Sequence, residues 1–344
     1  EVLGLPAYPS VSACPSNLDL VVVVVPARFV PGVLREAAAK GAGAAIIISG
    51  GFREAGREDL EEEILAVTAE TGLRLIGPNC QGINYTPNKL CASRPLVAAA
   101  GSLAVVSQSG TVAATLAGWA VDEGLGISAT VSLGNQVDVC ETDLIEYFAG
   151  DQETRVMALY LEGAKDGRRF LEAASQAIPR TPIVVLKSGR TRAGQRAAAS
   201  HTSQLAGRDE VFDAACRQYG IVRVADIESL YDSAKALESL ELDGGDRVMV
   251  VTSSGGCGIL ATDEAEACKL RGWVSRFGSP ASGDWIAARR SGQDADENGC
   301  TRKALDSVLV CARPCPQSLG LGFLGVVCAF GVSWSLGSGV DFAR

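Results

Sequence analysis

Apolar and polar positions alternate along the chain in a recurring order: a short β-branched run, a small-residue turn, then an amphipathic stretch. Residues 19–25 (DLVVVVV) are too short and too branched for a helix and predict a strand buried on both faces of a parallel sheet. Pro26 ends that run, and Pro31 opens a helix reaching Lys40. A second buried strand is predicted at 44–48, a Glu-rich helix at about 57–71 and a third strand at 73–76, ending at Gly77. The three strands and two helices read as a βαβαβ half of a doubly wound fold.

The pattern restarts at 102–106, a strand followed by the turn Ser107–Gly110 (SQSG) and a helix from Thr111 to Glu123. Strands at 127–132, 156–160 and 182–186 are predicted to alternate with helices near 142–149, 167–177 and 208–218. A third start follows at 247–252, with a turn over 253–258 and a helix over 259–270. Linkers are expected at 84–100 and 239–246, where Pro, Gly and Asp collect. From residue 278 neither helical nor strand period persists, which predicts an atypical tail, disordered or poorly packed. The uncharged run 314–340 is broken by six glycines, so a membrane span is not the reading there.

Composition narrows the class. Hydrophobic residues make up 47 % of the 344 positions and aromatics only 6 %, with 39 glycines. That mixture suits parallel α/β sheets with tight turns. A formal net charge of −9 excludes a sequence-independent nucleic-acid binder. The 11 cysteines form no C-x-x-C pair, and a single histidine leaves no Cys/His zinc cluster, so the thiols read as reduced in a cytoplasmic protein and no metal site is expected. No signal peptide precedes the first strand. The chain opens without Met and reads as beginning inside a domain.

The candidate chemistry lies at turns. Ser107–Gly110 and the later Gly-rich turn at 253–258 each join a strand to a helix, where unpaired N–H groups and the helix dipole favour an anion. Such turns are also Gly/Ser-rich simply to make the corner. His201 lies in a loop of small residues bounded by Lys187, Arg190 and Arg192. A neutral imidazole there can attack a phosphoryl group, and an ordinary surface histidine is the bland alternative. Each of the three basic residues reads rather as part of an ordinary solvated edge. Glu162 sits at a strand end, where a carboxylate can orient the second ring nitrogen of a histidine.

Six motifs occur in order: Gly77–Cys80 (GPNC) with Gly82, Ser107–Gly110 (SQSG), Ser132–Asn135 (SLGN), Tyr160–Gly167 (YLEGAKDG), Lys187–Arg190 (KSGR), and Ser200–Thr202 (SHT) followed by Leu205–Gly207 (LAG). Together they resemble the α-type part of ADP-forming acyl-CoA synthetases (acetate–CoA ligases), relatives of the succinyl-CoA synthetase α subunit. The resemblance covers roughly residues 1–275. It implies an α/β chain: a truncated CoA-binding Rossmann-like domain over 1–97 and a flavodoxin-like ligase domain with a phosphohistidine loop over 98–242. The start of a second flavodoxin-like domain would occupy 243–277, with 278–344 as the atypical tail.

The resemblance also implies a reaction, acyl-CoA plus phosphate plus ADP giving acid, CoA and ATP, through an acyl phosphate and a phosphohistidine. By motif, His201 would be the phosphorylated nucleophile and Glu162 the carboxylate that orients it. Ser107, Gln108, Ser109 and Gly110 would cradle the phosphate. Pro26, Ala27, Ser49, Gly50, Asn79 and Cys80 would line the coenzyme A side. ADP or ATP with Mg²⁺ would sit on an ATP-grasp β-type partner subunit or domain, since no ATP-grasp segment occurs here. The chain departs from the family in three further ways. The opening strand and Gly-rich turn are expected ahead of residue 1, which would leave the 19–25 strand with an open hydrophobic edge. Ser203 stands where the family usually has glycine, and the likeness ends near residue 275. A non-catalytic acyl-CoA-binding module of a protein acetyltransferase and an inactive fragment are the alternatives.

Overall fold

The computed structural model describes residues 1–93, 98–191, 193–194, 196, 208–239, 247–252, 255–267, 271–276, 286–287, 309–310 and 324–327. These fall into two compact units, residues 1–238 and 239–344.

In the first unit a three-stranded parallel sheet is built from β1 (Leu20–Val23), β2 (Ala44–Ile47) and β3 (Arg74–Ile76), in that spatial order. Helix α1 (Val30–Ala39) buries Val30, Leu34 and Ala37, and α2 (Glu58–Thr71) buries Leu60, Ile64 and Val67. Those helical spacings present one stripe of each helix to Val23, Ala45, Ile47 and Leu75 of the sheet. The expectation for residues 19–25 is corrected in part. β2 is buried on both faces, but β1 is an edge strand, and Val22 and Val24 are 41 % and 69 % exposed. The valines of residues 21–25 favour an extended chain, yet only Val21, Val23 and Val25, on the helix-packed face, find cover, while Val22 and Val24 alternate to the other face.

The opposite face of this sheet is covered by a hairpin, β4 (Gly82–Tyr85) and β5 (Leu90–Ser93). Ile46 packs there with Cys80, Ala92 and the partly buried Leu20, Ile76, Ile83 and Leu90. Much of the stretch expected as a linker is therefore paired structure. Its short alternating run GINY was masked by the Pro and Asn that follow, which here make the hairpin turn.

The hairpin also joins a seven-stranded sheet. Its order is β10 (Val222–Val224), β9 (Ile183–Lys187), β8 (Val156–Leu161), β6 (Ala100–Ser107), β7 (Ile127–Ser132), β4, β5. Strands β6 to β10 are mutually parallel, and β4 runs antiparallel to β7. Read within the parallel set, the second strand is outermost beside the first, and third, fourth and fifth follow on the other side. This is the doubly wound order of flavodoxin-like folds. The strand at 222–224 and the helix at 227–239 are not among the expected elements, the strand being too short to show a period.

Successive residues of each buried strand feed alternate faces. Leu103, Val105, Ala158, Val184 and Leu186 pack with α3 (Gly110–Glu123) and α7 (Ile227–Ser239). Ala104, Val106, Val131, Leu159 and Val185 pack with α4 (Glu141–Gly150), α5 (Gly167–Ala177) and α6 (Asp209–Tyr219). The expected fold class, α/β with parallel-sheet CoA-binding and flavodoxin-like parts, is the observed one.

The two sheets are stitched by the segment that follows β7. Backbone N–H groups of Asn135, Val137 and Val139 donate to Pro78, Gly77 and Leu75 at 2.9, 3.1 and 3.1 Å. Asp138 accepts from Leu75 N–H at 2.7 Å and pairs with Arg74. Gly134 lies so close to the Pro78–Asn79 backbone that a Cβ would come within 2.2 Å of the Pro78 oxygen. No larger residue fits this crossing.

The second unit holds β11 (Arg247–Thr252), α8 (Gly255–Ala267), β12 (Arg271–Arg276), β13 (Ile286–Ala287), β14 (Leu309–Val310) and β15 (Leu324–Val327). They form a mixed sheet in the order β13-β12-β11-β15-β14. Helix α8 starts at Gly255 and so takes in glycines expected in the turn. The disorder expected for 278–344 concerns residues that lie mostly outside the described ones. Among the described residues no helix is long and apolar enough to cross a membrane.

Candidate functional site

In a doubly wound sheet, ligands bind beyond the carboxyl ends of the strands where the strand order reverses. Here that point lies between β6 and β8, and it is where Ser107–Gly110 and Glu162 come together. Ser107 pairs with Ser132 on one side and with Tyr160 on the other.

The turn after β6 is held from within. The fully buried Ser107 hydroxyl donates to the Ser109 carbonyl at 2.6 Å and accepts from Ser109 N–H at 3.1 Å. Ser109 is the N-cap of α3, its side chain accepting from Val112 N–H at 3.4 Å. The N–H groups of Gly110 and Thr111 have no acceptor inside the helix and lie at the positive end of its dipole. A Cβ on Gly110 would come within 2.6 Å of Gln81 Cγ and 2.9 Å of its Nε2. The Gln81 amide therefore lies over the helix start, a placement that sequence reasoning missed. The signal available was a polar residue inside the GPNC-x-G motif.

Gln108 has a different task from its neighbours. Its Oε1 accepts from the N–H groups of Glu162 and Gly163 at 2.5 and 3.2 Å, and its Nε2 donates to the Gly163 carbonyl at 2.7 Å. Both ends of the amide are thus bound to the loop after β8. Glu162 is half-buried beside the turn. Nearby, burial pushes the Tyr160 hydroxyl's pKa up, against a hydrogen bond to Ser188 that lowers it.

The loop containing His201 leaves β9 next to Glu162. Lys187 pairs with Leu161, and Ser188 N–H donates to the Leu161 carbonyl at 2.9 Å. Arg190 anchors the loop's start by donating to Ala225 O at 3.2 Å. His201, Arg192 and Ser203 lie outside the described residues. The chain returns at α6, whose first turn is fixed by Arg223. This residue, buried on β10, pairs with both Asp209 and Asp213. Lys187 is not a solvated edge, because its side chain is buried, at 3 % exposure, at the end of β9.

The residues expected on the coenzyme A side gather at the carboxyl ends of β1, β2 and β3. Exposed Pro26 and half-buried Ala27 follow β1. Ser49 Oγ donates to Val23 O at 3.4 Å, and Ser49 O accepts from Asn79 N–H at 2.9 Å. Asn79 adopts φ +58°, a turn conformation this residue tolerates. Gly50 lies against Asn79 and Glu54, and the Glu54 carboxylate accepts from Gly51 and Phe52 N–H at 2.6 and 3.2 Å. Asn135 donates to Glu54 at 2.7 Å and to Glu61 at 2.8 Å, so the turn after β2 is tied to the ligase block. Burial tends to raise the Glu54 pKa, but these donors, Asn135 foremost, bring it below the usual value. The Cys80 thiol turns into the core, donating to Ile47 O at 3.3 Å, and burial raises its pKa to about 11. Among the described residues no group of three or more His, Cys, Asp or Glu side chains is disposed to hold a metal ion.

Comparison with known proteins agrees with this layout. The family model described as "CoA binding domain" matches residues 1–86, and "Succinyl-CoA ligase like flavodoxin domain" matches residues 100–237. The α subunit of acetate–CoA ligase [ADP-forming] I from Pyrococcus furiosus is 45 % identical over 262 residues, covering 75 % of this chain and 57 % of that subunit. The α subunit of isoenzyme II from the same organism is 41 % identical over 273 residues, covering 79 % and 60 %. Among solved structures, the dinucleotide-forming acetyl-coenzyme A synthetase 1 of Ca. Korarchaeum cryptofilum, in complex with phosphate and ADP, superposes with a TM-score of 0.75 at 39 % identity. That match covers 78 % of this chain and 59 % of the other, so the chain spans somewhat over half the length of these relatives.

Proposed function

The chain belongs to the ADP-forming acetate–CoA ligase family, and from its geometry we propose that it is the α-type portion of an ADP-forming acyl-CoA synthetase, an acid–thiol ligase. The observation that carries the reading is the clamp joining the β6–α3 turn to Glu162, beside the point where the His201 loop begins. A helix start that attracts an anion, a carboxylate set beside it and a histidine on the adjoining loop are what a phosphoryl relay needs.

In this reading coenzyme A lies across the strand ends at Pro26, Ala27, Ser49, Gly50 and Asn79, with the Cys80 main chain. Phosphate rests at the start of α3, held by main-chain N–H groups of the Ser107–Gly110 turn. A phosphate oxygen attacks the thioester carbonyl, and the C–S bond breaks with release of the CoA thiolate, which takes a proton. The acyl phosphate formed then loses its phosphoryl group to a His201 nitrogen, and the carboxylate departs. Glu162 accepts a hydrogen bond from the other ring nitrogen and stabilises the charge that develops. The loop next carries the group to ADP with Mg²⁺ on an ATP-grasp β-type partner, in the cytoplasm.

The test is direct. Incubated with a β-type partner, Mg²⁺ and γ-labelled ATP, this chain should acquire acid-labile label. The His201→Ala variant should acquire none. Equal labelling of both would end the assignment of His201 as carrier.

A further inference from the structure

When phosphate attacks a thioester, the carbonyl oxygen takes on a full negative charge, and enzymes meet such a charge with donors fixed in advance. The cradle's own donors are directed elsewhere. The main-chain N–H groups at the start of α3 serve the phosphate, and the Gln108 amide is bound at both ends by the loop after β8.

A second glutamine stands at the same place. Gln81 is half-buried and directly follows the GPNC turn, whose Asn79 N–H is bound to Ser49 O on the side expected to hold coenzyme A. Its side chain reaches across to the other turn, since a Cβ on Gly110 would come within 2.6 Å of Gln81 Cγ and 2.9 Å of Nε2. The residue thus spans from the turn that would carry the thioester to the turn that would carry the phosphate. Unlike that of Gln108, its amide has no hydrogen-bond partner among the described residues.

The backbone beneath that amide is pinned. Gln81 N–H donates to Oγ of the buried Ser132 at 2.9 Å, and the Cys80 thiol before it is bound to Ile47 O. Gly82 after it takes φ +94°, with so little room that a Cβ would lie 2.1 Å from Ala92 O. Only the side chain remains free to turn, and its Nε2 carries two N–H donors.

We infer that Gln81 is a catalytic residue whose amide donates to the thioester carbonyl oxygen as phosphate attacks. The phosphate oxygen forms the new bond to carbon, and the carbonyl π pair moves onto oxygen, where Gln81 Nε2–H holds it. The pair returns as the C–S bond breaks and the thiolate leaves. Gln81 gives up no proton. A neutral donor binds more strongly once its acceptor is charged, so the gain falls on the transition state rather than on bound acyl-CoA. The role rests on the synthetase reading and adds to it the group that meets this charge.

The experiment uses this chain with a β-type partner and Mg²⁺, and it measures two rates. ATP formation from acetyl-CoA, phosphate and ADP passes through the thioester, whereas labelling of His201 by γ-labelled ATP does not. Gln81→Met, close in shape but without the donor, should lower kcat for ATP formation by about 10²–10³-fold, with the KM values for acetyl-CoA and phosphate little changed. Gln81→Glu, only an acceptor at neutral pH, should be as slow. Both variants should take up label as the parent does. A parent-like kcat in either folded variant overturns the role. So does a raised KM for phosphate at unchanged kcat, which makes the amide a phosphate ligand. Labelling that falls in step with turnover overturns it too, because the residue is then structural. A parent that takes up label keeps the synthetase reading whatever Gln81 does; one that neither labels nor forms ATP ends that reading and this role with it.

Discussion

Gln108 grips Glu162 by its backbone. One side-chain amide satisfies the Glu162 N–H, the Gly163 N–H and the Gly163 carbonyl, so the turn after β6 is tied to the loop after β8. Gln108 is in this view a positioning residue. Gln108→Ala should lower kcat by about 10²-fold, the order expected when a reacting group shifts by about an ångström. The KM for phosphate should change little. A variant that raises that KM and spares kcat would show the amide to be a phosphate ligand instead.

Arg223 locks the return of the His201 loop. Its guanidinium is buried and pairs with Asp209 and Asp213 at the start of α6. Removing one member of a buried ion pair typically costs about 3–5 kcal/mol, because the partner's charge is stranded. Arg223→Met should lower the urea midpoint accordingly, and adding Asp209→Asn should recover part of the loss. A midpoint equal to the parent's would show that the network contributes nothing.

Glu141 predicts a pH dependence. It is fully buried at the start of α4, and burial raises its pKa, against smaller lowering contributions from Thr142 and Lys165. The native state therefore holds this proton more tightly than the unfolded chain does. Stability from this group falls as pH rises from the ordinary carboxylate range through the raised value, and it stays lost above that. Glu141→Gln should melt higher than the parent at pH 7, with the gap closing at pH 4. A gap of the same size at both values would refute the sign.

Helix α4 is capped by Cys140, whose N–H donates to Asp143 at 2.8 Å. A thiol is a weak acceptor for the first-turn N–H groups, and serine is a preferred N-cap of nearly the same shape. Cys140→Ser should stabilise the chain by about 0.5–1 kcal/mol, read as a higher Tm. Cys140→Ala should not.

Much of this arrangement is legible in the residues. Buried strands such as Ala44–Ile47 and the Ile183–Leu186 part of β9 announce themselves as unbroken apolar runs, because both faces are covered. The position of Ser107–Gly110 at a strand end follows from the switch out of that pattern. What escaped are features set by partners distant in the chain. GINY at 82–85 is a strand because β5 and β7 pair with it on either side, and Val222–Val224 is too short to show a period. The cradle's composition was readable, but the division of labour within it was not. Nothing local distinguishes an amide that holds a neighbouring loop from one that waits for a ligand. Lys187 likewise looks like any basic surface residue until the fold buries it.

The hairpin Gly82–Ser93 has a practical meaning for anyone who would take this chain apart. It spans the join between the stretches that the two family models match, yet its first strand pairs with the larger sheet and its apolar face packs on the smaller one. A gene split there would expose an unsatisfied edge on one product and a bare hydrophobic face on the other. Neither product should express well alone, so chimaeras are better cut before Leu20 or beyond Ser239, leaving the two layers to travel as one cassette.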